Sequence, residues 1–363
     1  MFDRDPWDPI YSLQTYGKHV LTSVEVTVSQ LCNMRCEHCA VGETLLTHEG
    51  RKLPLDLLLR RLDEVETLQT ISITGGEPTY DLETVKQIVL PLLQYAKKRG
   101  LRTQINTNLT FDFDRYELIA PYMDVFHISY NYLSAGDFHT IGFANADRSV
   151  SGAVAERLFE RMKENAIRLA RQGAFVSAES MINYRTHESI VDIHREIVEM
   201  GCRRHEVHPM YPSSFAQGLS VLPLEQTRRA VERLLDGRDT SVWMLFGTLP
   251  FFACSPHEAD RALLSRLKRE PMVTVRNDPD GRNRLNVNLL TGDVYVTDFS
   301  DVPSFGNVRT DRFTDLFERW LGTELQQSVS CHCLEAVCCG PNLLVKETYY
   351  RDVDFLNRKA ILG

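Results

Sequence analysis

The first half of the chain alternates short β-type runs with amphipathic helical runs. Residues 23–29 alternate apolar and polar positions, which predicts a half-buried strand, and residues 54–65 place their leucines and valine on one helical face. The same alternation continues to about residue 210. It predicts strands at 23–29, 70–74, 101–106, 125–129, 174–181 and 204–210, and helices at 54–65, 85–96, 115–122, 153–171 and 189–200. Pro91, inside the second of these helices, predicts a kink.

The number of repeats decides the predicted fold class. Strands separated by helices are most simply parallel, and a complete eight-stranded barrel usually takes ~250 residues. Here six β/α repeats fit into residues 22–212. We therefore predict an α/β fold in which a partial (β/α)6 TIM-like barrel precedes a C-terminal α+β domain.

After residue 212 the pattern changes. Helical patterns at 225–235 and 257–268 flank the aromatic-rich segment WMLFGTLPFFAC, and a further helix is predicted at 311–321. Three β-type runs at 272–275, 284–289 and 293–297 are separated by turn sequences, which predicts antiparallel hairpins. The predicted parts are an N-terminal extension (1–21), the barrel (22–212) and a C-terminal domain (213–363).

Composition and charge exclude several classes of protein. The 363 residues are 43% hydrophobic, which suits a packed core, and the formal net charge of −8 is unfavourable for binding nucleic acid or an anionic membrane surface. The most apolar window, 243–254, is broken by Gly247 and Pro250 and is too short to span a bilayer. The first ten residues lack the basic and apolar regions of a secretory leader, so we expect a cytoplasmic protein.

The nine cysteines are the unusual feature of the composition. An odd number excludes complete disulfide pairing, and clustered cysteines in a reducing compartment indicate metal binding or catalysis. Cys32, Cys36 and Cys39 form C-x3-C-x2-C directly after the first predicted strand. Three thiolates at this spacing can hold a [4Fe–4S] cluster and leave its fourth iron open, as catalytic metal sites do. Zinc is the alternative, but His38 between two of the cysteines is badly placed to supply a fourth ligand.

With this triad after the first strand, the chain resembles the radical S-adenosylmethionine (SAM) superfamily across all six predicted repeats. The resemblance implies that SAM chelates the open iron through its amino and carboxylate groups. It also implies that an electron from the reduced cluster cleaves SAM to a 5′-deoxyadenosyl radical, which abstracts hydrogen from a substrate. An electron donor such as flavodoxin or ferredoxin is implied as a partner.

Further cofactor-binding residues are predicted at the carboxyl ends of the strands, where barrel enzymes build their sites. Gly75 and Gly76 let a ligand approach the backbone closely, and the carboxylate of Glu77 can pair with an ammonium group. The sequence GGEP is by itself an ordinary turn, but here it resembles the superfamily's glycine-rich element that holds the amino end of SAM. Asn108 and Ser129 match ribose or methionine contacts, although capping of the next helix explains both equally. The predicted residues are Gly75, Gly76, Glu77, Pro78, Asn108 and Ser129.

Several other residues with reactive side chains have structural explanations. His127, His205 and His208 lie on predicted strands and titrate near neutral pH, but a structural role explains each equally, so none is assigned a proton transfer. Tyr130 is either a substrate contact or part of a packed wall. Cys202 is isolated and is expected to be a small buried hydrophobic residue.

A second group of cysteines lies near the C-terminus in CHCLEAVCCG, with one more upstream in FFACSP. The preceding TGDVYVTDF, followed by FGNV and a helix, resembles the auxiliary-cluster extension (SPASM or twitch type) of radical SAM maturases. The resemblance implies a second [4Fe–4S] cluster, although that family places a cysteine where this chain has Asp298. Spacing alone does not separate iron from zinc at this second site. The predicted ligands are Cys254, Cys331, Cys333 and Cys338, with Cys339 or Asp298 as alternatives.

From the triad to PNLLVKETYY, the whole chain also resembles bacterial radical SAM proteins with a YfkB-like C-terminal region and a CxCxxxxC motif. The predicted function is therefore a radical SAM enzyme, and the type of extension favours peptide or protein modification over small-molecule or cofactor biosynthesis. RNA modification ranks third, because no basic aromatic cluster is present. A non-catalytic iron–sulfur electron carrier or sensor leaves GGEP and the aligned strand ends unexplained, and a zinc-stabilised binding protein does not need an open three-cysteine loop.

Overall fold

The computed structural model describes residues 5–212, 214–216, 218–277, 280–297, 302–331, 333 and 336–361. Within these residues, eleven strands form one sheet. They are β1 (Ser23–Ser29), β2 (Thr70–Gly75), β3 (Arg102–Thr107), β4 (Val125–Ser129), β5 (Val176–Ile182), β6 (Arg204–Pro209), β7 (Trp243–Gly247), β8 (Val273–Arg276), β9 (Arg284–Asn288), β10 (Asp293–Tyr295) and β11 (Gly306–Asn307). Their order across the sheet is β11-β10-β9-β1-β2-β3-β4-β5-β6-β7-β8.

The helices follow the strands, and two of them begin after serines whose hydroxyl groups cap the helix N-terminus. The hydroxyl of Ser134 accepts from the Asp137 amide, and that of Ser151 accepts from the Val154 amide. The α-helices are α1 (Pro9–Tyr16), α2 (Leu55–Asp63), α3 (Leu82–Thr84), α4 (Leu90–Lys98), α5 (Asp114–Ile119), α6 (Ala135–Gly142), α7 (Gly152–Arg171), α8 (Ile190–Glu199), α9 (Leu224–Gly237), α10 (Glu258–Arg269), α11 (Phe313–Leu321), α12 (Glu324–Ser328) and α13 (Leu343–Tyr349). Short 3₁₀ helices span Gly42–Thr44, Ala120–Tyr122 and Ser214–Ala216, and a π-helix spans Val85–Val89.

The six predicted β/α repeats are confirmed. Strands β1 to β6 lie side by side in chain order, and every neighbouring pair is parallel. The alternation along β1 explains the layers, because Val24 and Val26 belong to the same buried core as Leu58 and Leu62 of α2, while Glu25 between them lines a cavity. One face of the sheet is therefore apolar and packs under the helices. The other face is polar and faces the cavity.

Beyond residue 240, strand β7 was not predicted, and one predicted strand pairing is wrong. Strand β7, with all five residues buried, is apolar on both faces, and such a run does not show the two-residue period of a strand. Strand β7 pairs parallel with β6, and β8 pairs parallel with β7. The predicted strand at 272–275 is therefore not part of an antiparallel hairpin.

Strands β9 to β11 join the opposite side of the sheet. Strand β9 pairs parallel with β1, so Leu285 and Val287 enter the core of the barrel. The antiparallel hairpin predicted for the last two runs is confirmed for β9 with β10, and β11, where no strand was predicted, pairs antiparallel with β10. Gly292, in the turn between β9 and β10, has a positive φ of 83°, which favours glycine. The three predicted chain parts and their boundaries remain predictions.

The described part of the N-terminal extension is anchored inside the sheet. The indole Nε1 of Trp7 donates a 3.0 Å hydrogen bond to the Ser72 hydroxyl on β2. The carboxylate of Asp5 lies 2.8 Å from a guanidinium nitrogen of Arg276 on β8. These residues link the N-terminus to two strands that are far apart in the sheet. No helix in the described ranges combines the length and the apolar character needed to cross a membrane.

The predicted helix around Pro91 contains a π-turn just before the proline. Proline lacks the amide that closes an α-turn, and its ring collides with a carbonyl of the preceding turn. In the structure, the Leu90 amide donates to the Val85 carbonyl, one residue further back than in an α-helix. The wider turn places Pro91 in the first turn of α4, where it is tolerated.

Candidate active site

A cavity of about 250 Å³ at the carboxyl ends of the parallel strands brings the cysteine loop together with the ends of several strands. Of the residues predicted to bind the first cluster and SAM, Pro78 is buried but does not line this cavity. The others all line it: Cys32, Cys36, Cys39, Gly75, Gly76, Glu77, Asn108 and Ser129. The structure thus places the predicted cluster ligands and the predicted SAM contacts around one space.

The loop that carries the three cysteines is fixed by the end of α6. The Arg35 amide donates to the Gly142 carbonyl over 2.9 Å, and the Glu37 amide donates to the Ile141 carbonyl over 3.0 Å. Gly142 packs so closely that a Cβ there would lie 2.5 Å from Cε of Met34. Helix α6, which the sequence analysis missed, therefore supports the backbone around Cys36.

Glu49 supports the start of the same loop. One oxygen of its carboxylate accepts hydrogen bonds from the Ser29 hydroxyl at 2.8 Å and from the Gln30 and Leu31 amides. Its other oxygen forms an ion pair with Lys52 at 2.5 Å. The turn from β1 into the cysteine loop is therefore held by a charged group that no sequence motif pointed to.

The environment of the thiols suits metal binding only after deprotonation. Burial, followed by the negative charge of Glu77, raises the pKa of Cys32 to about 12. Burial and then the neighbouring Cys39 and Cys32 raise the pKa of Cys36 well above its usual value. Because thiolates are the metal ligands, binding of iron must release these protons.

Cys32, Cys36 and Cys39 line the same cavity. Among the residues that the structure describes, no group of three or more His, Cys, Asp or Glu side chains is arranged to hold one metal ion. A [4Fe–4S] cluster does not need such an arrangement, because each cysteine binds a different iron. The cavity wall therefore carries the three thiols that a [4Fe–4S] cluster with one open iron requires.

The two glycines of GGEP are required by close backbone packing. Gly75 has a φ of +146°, and a Cβ there would lie 2.1 Å from the Ser29 carbonyl oxygen. A Cβ on Gly76 would lie 2.5 Å from the Leu31 carbonyl oxygen. The end of β2 thus packs directly against the start of the cysteine loop. The backbone of Gly75 and Gly76, which carries no side chains, faces the cavity.

The carboxylate of Glu77 is held by hydrogen bonds from within the chain. Oε1 accepts from the Thr79 amide at 2.9 Å, the Thr79 hydroxyl at 2.6 Å and the Thr107 hydroxyl at 2.8 Å, and Oε2 accepts from the Asn108 amide at 2.7 Å. Burial raises the pKa of Glu77 above its usual value. The structure thus shows Glu77 fixing the end of β3, and its pairing with an ammonium group remains a prediction.

Asn108 and Ser129 are not the N-caps of the helices that follow them. The N-cap of α5 is Phe113, and that of α6 is Ser134. Nδ2 of Asn108 donates to Oδ1 of Asn33 at 3.0 Å, and Ser129 is exposed toward the cavity at the end of β4. The capping alternative is therefore wrong for both residues, and their contacts with SAM remain predictions.

A buried chain of charged side chains extends from the cavity into the sheet interior. Glu179 on β5 lines the cavity, and its Oε2 lies 3.2 Å from Nε2 of His127 on β4. Its Oε1 lies 3.9 Å from Nε2 of His208 on β6. Burial alone raises the pKa of Glu179, but the hydrogen bond and charge of His127, with the charge of His208, lower it below its usual value.

Glu206 is the centre of this chain of charges. Its carboxylate lies 2.6 Å from Arg276, 3.3 Å from Arg204 and 3.0 Å from Nε2 of His208. Burial raises the pKa of Glu206, but Arg276 and Arg204 outweigh burial and hold it well below its usual value. Burial lowers the pKa of His208, but its hydrogen bond with Glu206 reverses this and raises it.

The remaining residues with uncertain roles are structural. His205 is fully buried, with its Nδ1 3.0 Å from Nδ1 of His194 on α8. Tyr130 is buried in an aromatic cluster with Tyr132 and Phe159 and does not line the cavity. Cys202 is buried, as predicted, and burial raises its pKa to about 12.

Two smaller cavities adjoin the first. One, of about 200 Å³, shares Glu25, Thr74, Gly75 and Gly76 with it and is otherwise lined mainly by amide and hydroxyl side chains of β1, β9 and β10. The other, of about 170 Å³, shares Glu179 and extends to residues of the C-terminal part of the chain. Together they provide space for a second ligand beside the cysteine loop.

Four of the C-terminal cysteines lie in one apolar cluster. Phe252, Val345 and Phe355 pack around them. A hydrogen bond with the Cys338 thiol, followed by burial, raises the pKa of Cys331. The clustered cysteines are the four predicted ligands Cys254, Cys331, Cys333 and Cys338.

The two alternative ligands of the second site have different positions. Cys339 is buried, and its sulfur lies 4.0 Å from the Asn277 carbonyl oxygen. It also lies close to Arg282, whose pKa is lowered by burial. Asp298 lies outside the described residues. The grouping therefore favours Cys254 over Cys339 as the fourth ligand, and a cluster at this site remains a prediction.

Comparison with known proteins agrees with this architecture. A family model described as the radical SAM superfamily matches residues 26–197, and one described as a YfkB-like domain matches residues 210–360. The chain is 55% identical to the protein YfkA of Bacillus subtilis (strain 168) over 357 residues, which cover 98% of this chain and 96% of YfkA.

Two solved structures share the fold. Streptococcus suis SuiB bound to S-adenosylmethionine is 16% identical with a TM-score of 0.60, covering 93% of this chain and 74% of SuiB. The protein anSMEcpe with bound AdoMet is 14% identical with a TM-score of 0.59, covering 82% of this chain and 81% of that protein. SuiB is also known bound to the precursor peptide SuiA, and anSMEcpe with AdoMet and a Cp18Cys peptide.

Proposed function

The chain belongs to the radical SAM superfamily, with a YfkB-like C-terminal domain, and we propose that it modifies a peptide or protein substrate after reductive cleavage of SAM. One observation carries this proposal. Cys32, Cys36 and Cys39 share a single cavity with the glycine element and with the ends of β3 and β4. As a superfamily enzyme it uses a [4Fe–4S] cluster and SAM, and this cavity is the place where the described residues fit both.

Different residues of the chain have different roles at this site. When bound, a reduced [4Fe–4S] cluster would supply one electron to SAM, and cleavage of a carbon–sulfur bond would give methionine and a 5′-deoxyadenosyl radical. Cys32, Cys36 and Cys39 hold the cluster. Gly75 and Gly76 line the cavity and offer their backbone groups to the amino end of SAM.

Asn108 and Ser129 supply the remaining polar contacts to SAM. Both line the cavity from neighbouring strands, β3 and β4, and both carry side chains that donate and accept hydrogen bonds. The buried positions around them, including Tyr132 and Phe138, limit access of water to the same space. Such exclusion protects a reactive radical from side reactions.

A peptide or protein is the proposed substrate because of the space beside the cysteine loop. The two adjoining cavities extend from the main cavity along β9 and β10 and toward the C-terminal part. SuiB and anSMEcpe, which share the fold, have been solved with peptides bound. A small-molecule substrate is the alternative from the sequence analysis.

We also propose a second, auxiliary [4Fe–4S] cluster held by Cys254, Cys331, Cys333 and Cys338. Their grouping in one apolar cluster supports this assignment. A small redox protein of the flavodoxin or ferredoxin type is the proposed electron donor, because the cluster must be reduced before it can cleave SAM.

The substrate class is tested by following hydrogen. Anaerobic holoenzyme, SAM and dithionite are incubated with a deuterated bacterial extract that has been separated into peptide and small-molecule fractions. Because the 5′-deoxyadenosyl radical takes its hydrogen from substrate, deuterium in 5′-deoxyadenosine identifies the active fraction by mass spectrometry. We expect deuterium from the peptide fraction, and deuterium from the small-molecule fraction alone would overturn the peptide assignment.

A further inference from the structure

A closed ring of hydrogen bonds joins the cysteine loop to the segment after β3. Nδ2 of Asn108 donates to Oδ1 of Asn33 at 3.0 Å, and Nδ2 of Asn33 donates to Oγ1 of Thr110 at 2.9 Å. Oγ1 of Thr110 donates to Oδ1 of Asn108 at 2.7 Å, which closes the ring. We call these three residues the Thr110 ring. Asn33 directly follows Cys32, so the ring holds the chain beside a predicted cluster ligand.

The ring is connected to the glycine element and to a ligand sulfur. The amide of Asn108 donates to Oε2 of Glu77 over 2.7 Å, and Thr107 binds the other oxygen of the same carboxylate. Nδ2 of Asn108 also lies 4.0 Å from Sγ of Cys32. One network therefore connects three segments that are distant in the sequence: the cysteine loop, the end of β2 and the end of β3.

The backbone inside the network is strained, which shows that its conformation is imposed. Leu109, between Asn108 and Thr110, has a φ of +53°, a left-handed conformation that costs a non-glycine residue ~1–2 kcal/mol. The carbonyl of Leu109 accepts from Nδ2 of Asn165 at 2.7 Å. Thr110 is fully buried, and its hydroxyl is used once as donor and once as acceptor. Such strain persists only where surrounding contacts hold it, and it is common at functional sites.

We propose that Thr110, Asn33 and Glu77 are positioning residues that hold the cysteine loop in its cluster-binding conformation, with Asn108 as the link between them. Glu77 acts here through the end of β3, because its two oxygens accept four hydrogen bonds from that region and its own turn. The proposal deepens the proposed function and rests on it only in requiring a cluster at Cys32, Cys36 and Cys39.

Thr110 offers the most precise test, because its hydroxyl can be removed without changing the shape of the side chain. Thr110→Val removes two hydrogen bonds of the ring and keeps the volume, whereas Thr110→Ser keeps the hydroxyl and loses a buried methyl group. If only the stability of the fold mattered, both variants would behave alike. If the ring positions the loop, only the valine variant is impaired.

The measurement is the rate at which reconstituted holoprotein loses iron to a chelator under anaerobic conditions. The phase of iron release that is absent in the Cys36→Ala variant is assigned to the cluster at Cys32, Cys36 and Cys39. We expect Thr110→Val to accelerate this phase by roughly tenfold, the factor for a net loss of ~1.4 kcal/mol in hydrogen bonding. We expect Thr110→Ser to stay within about twofold of the unmodified protein.

Two further variants complete the test. Asn33→Ala opens the same ring from the partly exposed loop and, like the valine variant, is expected to accelerate release; it decides the question if Thr110→Val does not fold. Asn131→Ala is the matched control, since Asn131 is a buried amide at the end of β4 that binds the Met181 amide instead of the ring. It should leave the release rate unchanged.

Unchanged release in the ring variants, or equal acceleration in Thr110→Ser and Thr110→Val, would overturn the inference. The proposed function is tested separately by the SAM-dependent change in the electron paramagnetic resonance spectrum of the reduced unmodified protein. A cluster that does not respond to SAM contradicts the proposed function, while iron release still decides the role of the ring.

Discussion

Nη2 of Arg276 on β8 lies 2.6 Å from Oε1 of Glu206 on β6, although β7 lies between these two strands in the sheet. Arg204 lies 3.3 Å from the other carboxylate oxygen, and it pairs with Glu206 while Arg276 pairs with both Glu206 and Asp5. A buried pair of this kind is costly to break, because the remaining charge stays buried without its partner.

Glu206→Gln is therefore expected to destabilise the fold by about 3–5 kcal/mol in urea unfolding. The matched control is Glu225→Gln, which removes an exposed carboxylate paired with Arg229 on α9. Its effect should stay below ~1 kcal/mol, because exposed ion pairs contribute little. A loss below ~1 kcal/mol for Glu206→Gln would show that the charged interior is not needed for stability.

The contribution of Glu206 should disappear at low pH. It is faced by Arg204 and His208 on β6, Arg276 on β8, His127 on β4 and Glu179 on β5.

Although burial raises its pKa, Arg276 and Arg204 hold the pKa of Glu206 well below the usual 4.5, so its stabilising effect is complete above that value. The effect is lost as the pH falls from the unfolded pKa through the folded one. We expect the difference in unfolding free energy between the unmodified protein and Glu206→Gln to shrink as the pH falls below about 4. A difference that does not shrink below about pH 4 would contradict the ionised pair.

Gly76→Ala is expected to damage the SAM site. The added Cβ would meet the Leu31 carbonyl oxygen at 2.5 Å and Cδ2 of Leu45 at 2.9 Å, so the backbone of the strand end or of the cysteine loop must move. Equilibrium dialysis of the holoprotein with SAM should show at least a roughly tenfold loss of affinity, the effect of ~1.4 kcal/mol. Gly50→Ala is the control, since a Cβ there meets nothing within 4 Å. Equal affinities for SAM in both variants would mean that the close contact at Gly76 does not matter.

The sequence predicts the six barrel strands and the composition of the cavity wall because both depend on short-range patterns. The two-residue period is visible in β1, and the carboxyl ends of parallel strands meet at one edge, which brings Cys36 and Asn108 together. Strand β7 has no such period because both of its faces are buried. The partner of β8 depends on packing across the whole sheet, which no local pattern records.

The contacts that hold the site in place also leave no local pattern in the sequence. The contact of Arg35 with Gly142 and the Thr110 ring join segments about 75 to 110 residues apart in the chain. The residue types involved are asparagine, threonine and glycine, which are common in loops for other reasons. Only the fold shows that they meet beside the cysteines.

The second metal site is tested by counting iron. In a variant that lacks Cys32, Cys36 and Cys39, anaerobic reconstitution should leave about four iron atoms per chain at the C-terminal cysteines, the content of one [4Fe–4S] cluster. Further replacement of Cys331 by alanine should remove them, because its sulfur lies among the four grouped thiols. Replacement of Cys339 should leave them in place. Absence of iron in the first variant would exclude the auxiliary cluster.

The most direct measurement is the formation of 5′-deoxyadenosine by anaerobically reconstituted protein with SAM and dithionite. We expect a slow formation of 5′-deoxyadenosine without added substrate, its loss in Cys36→Ala, and its retention in the control Cys202→Ala, whose thiol is buried away from the cavity. No 5′-deoxyadenosine from protein with a complete iron content, or equal amounts from Cys36→Ala, would contradict the assignment of the cysteine loop as the site of SAM cleavage.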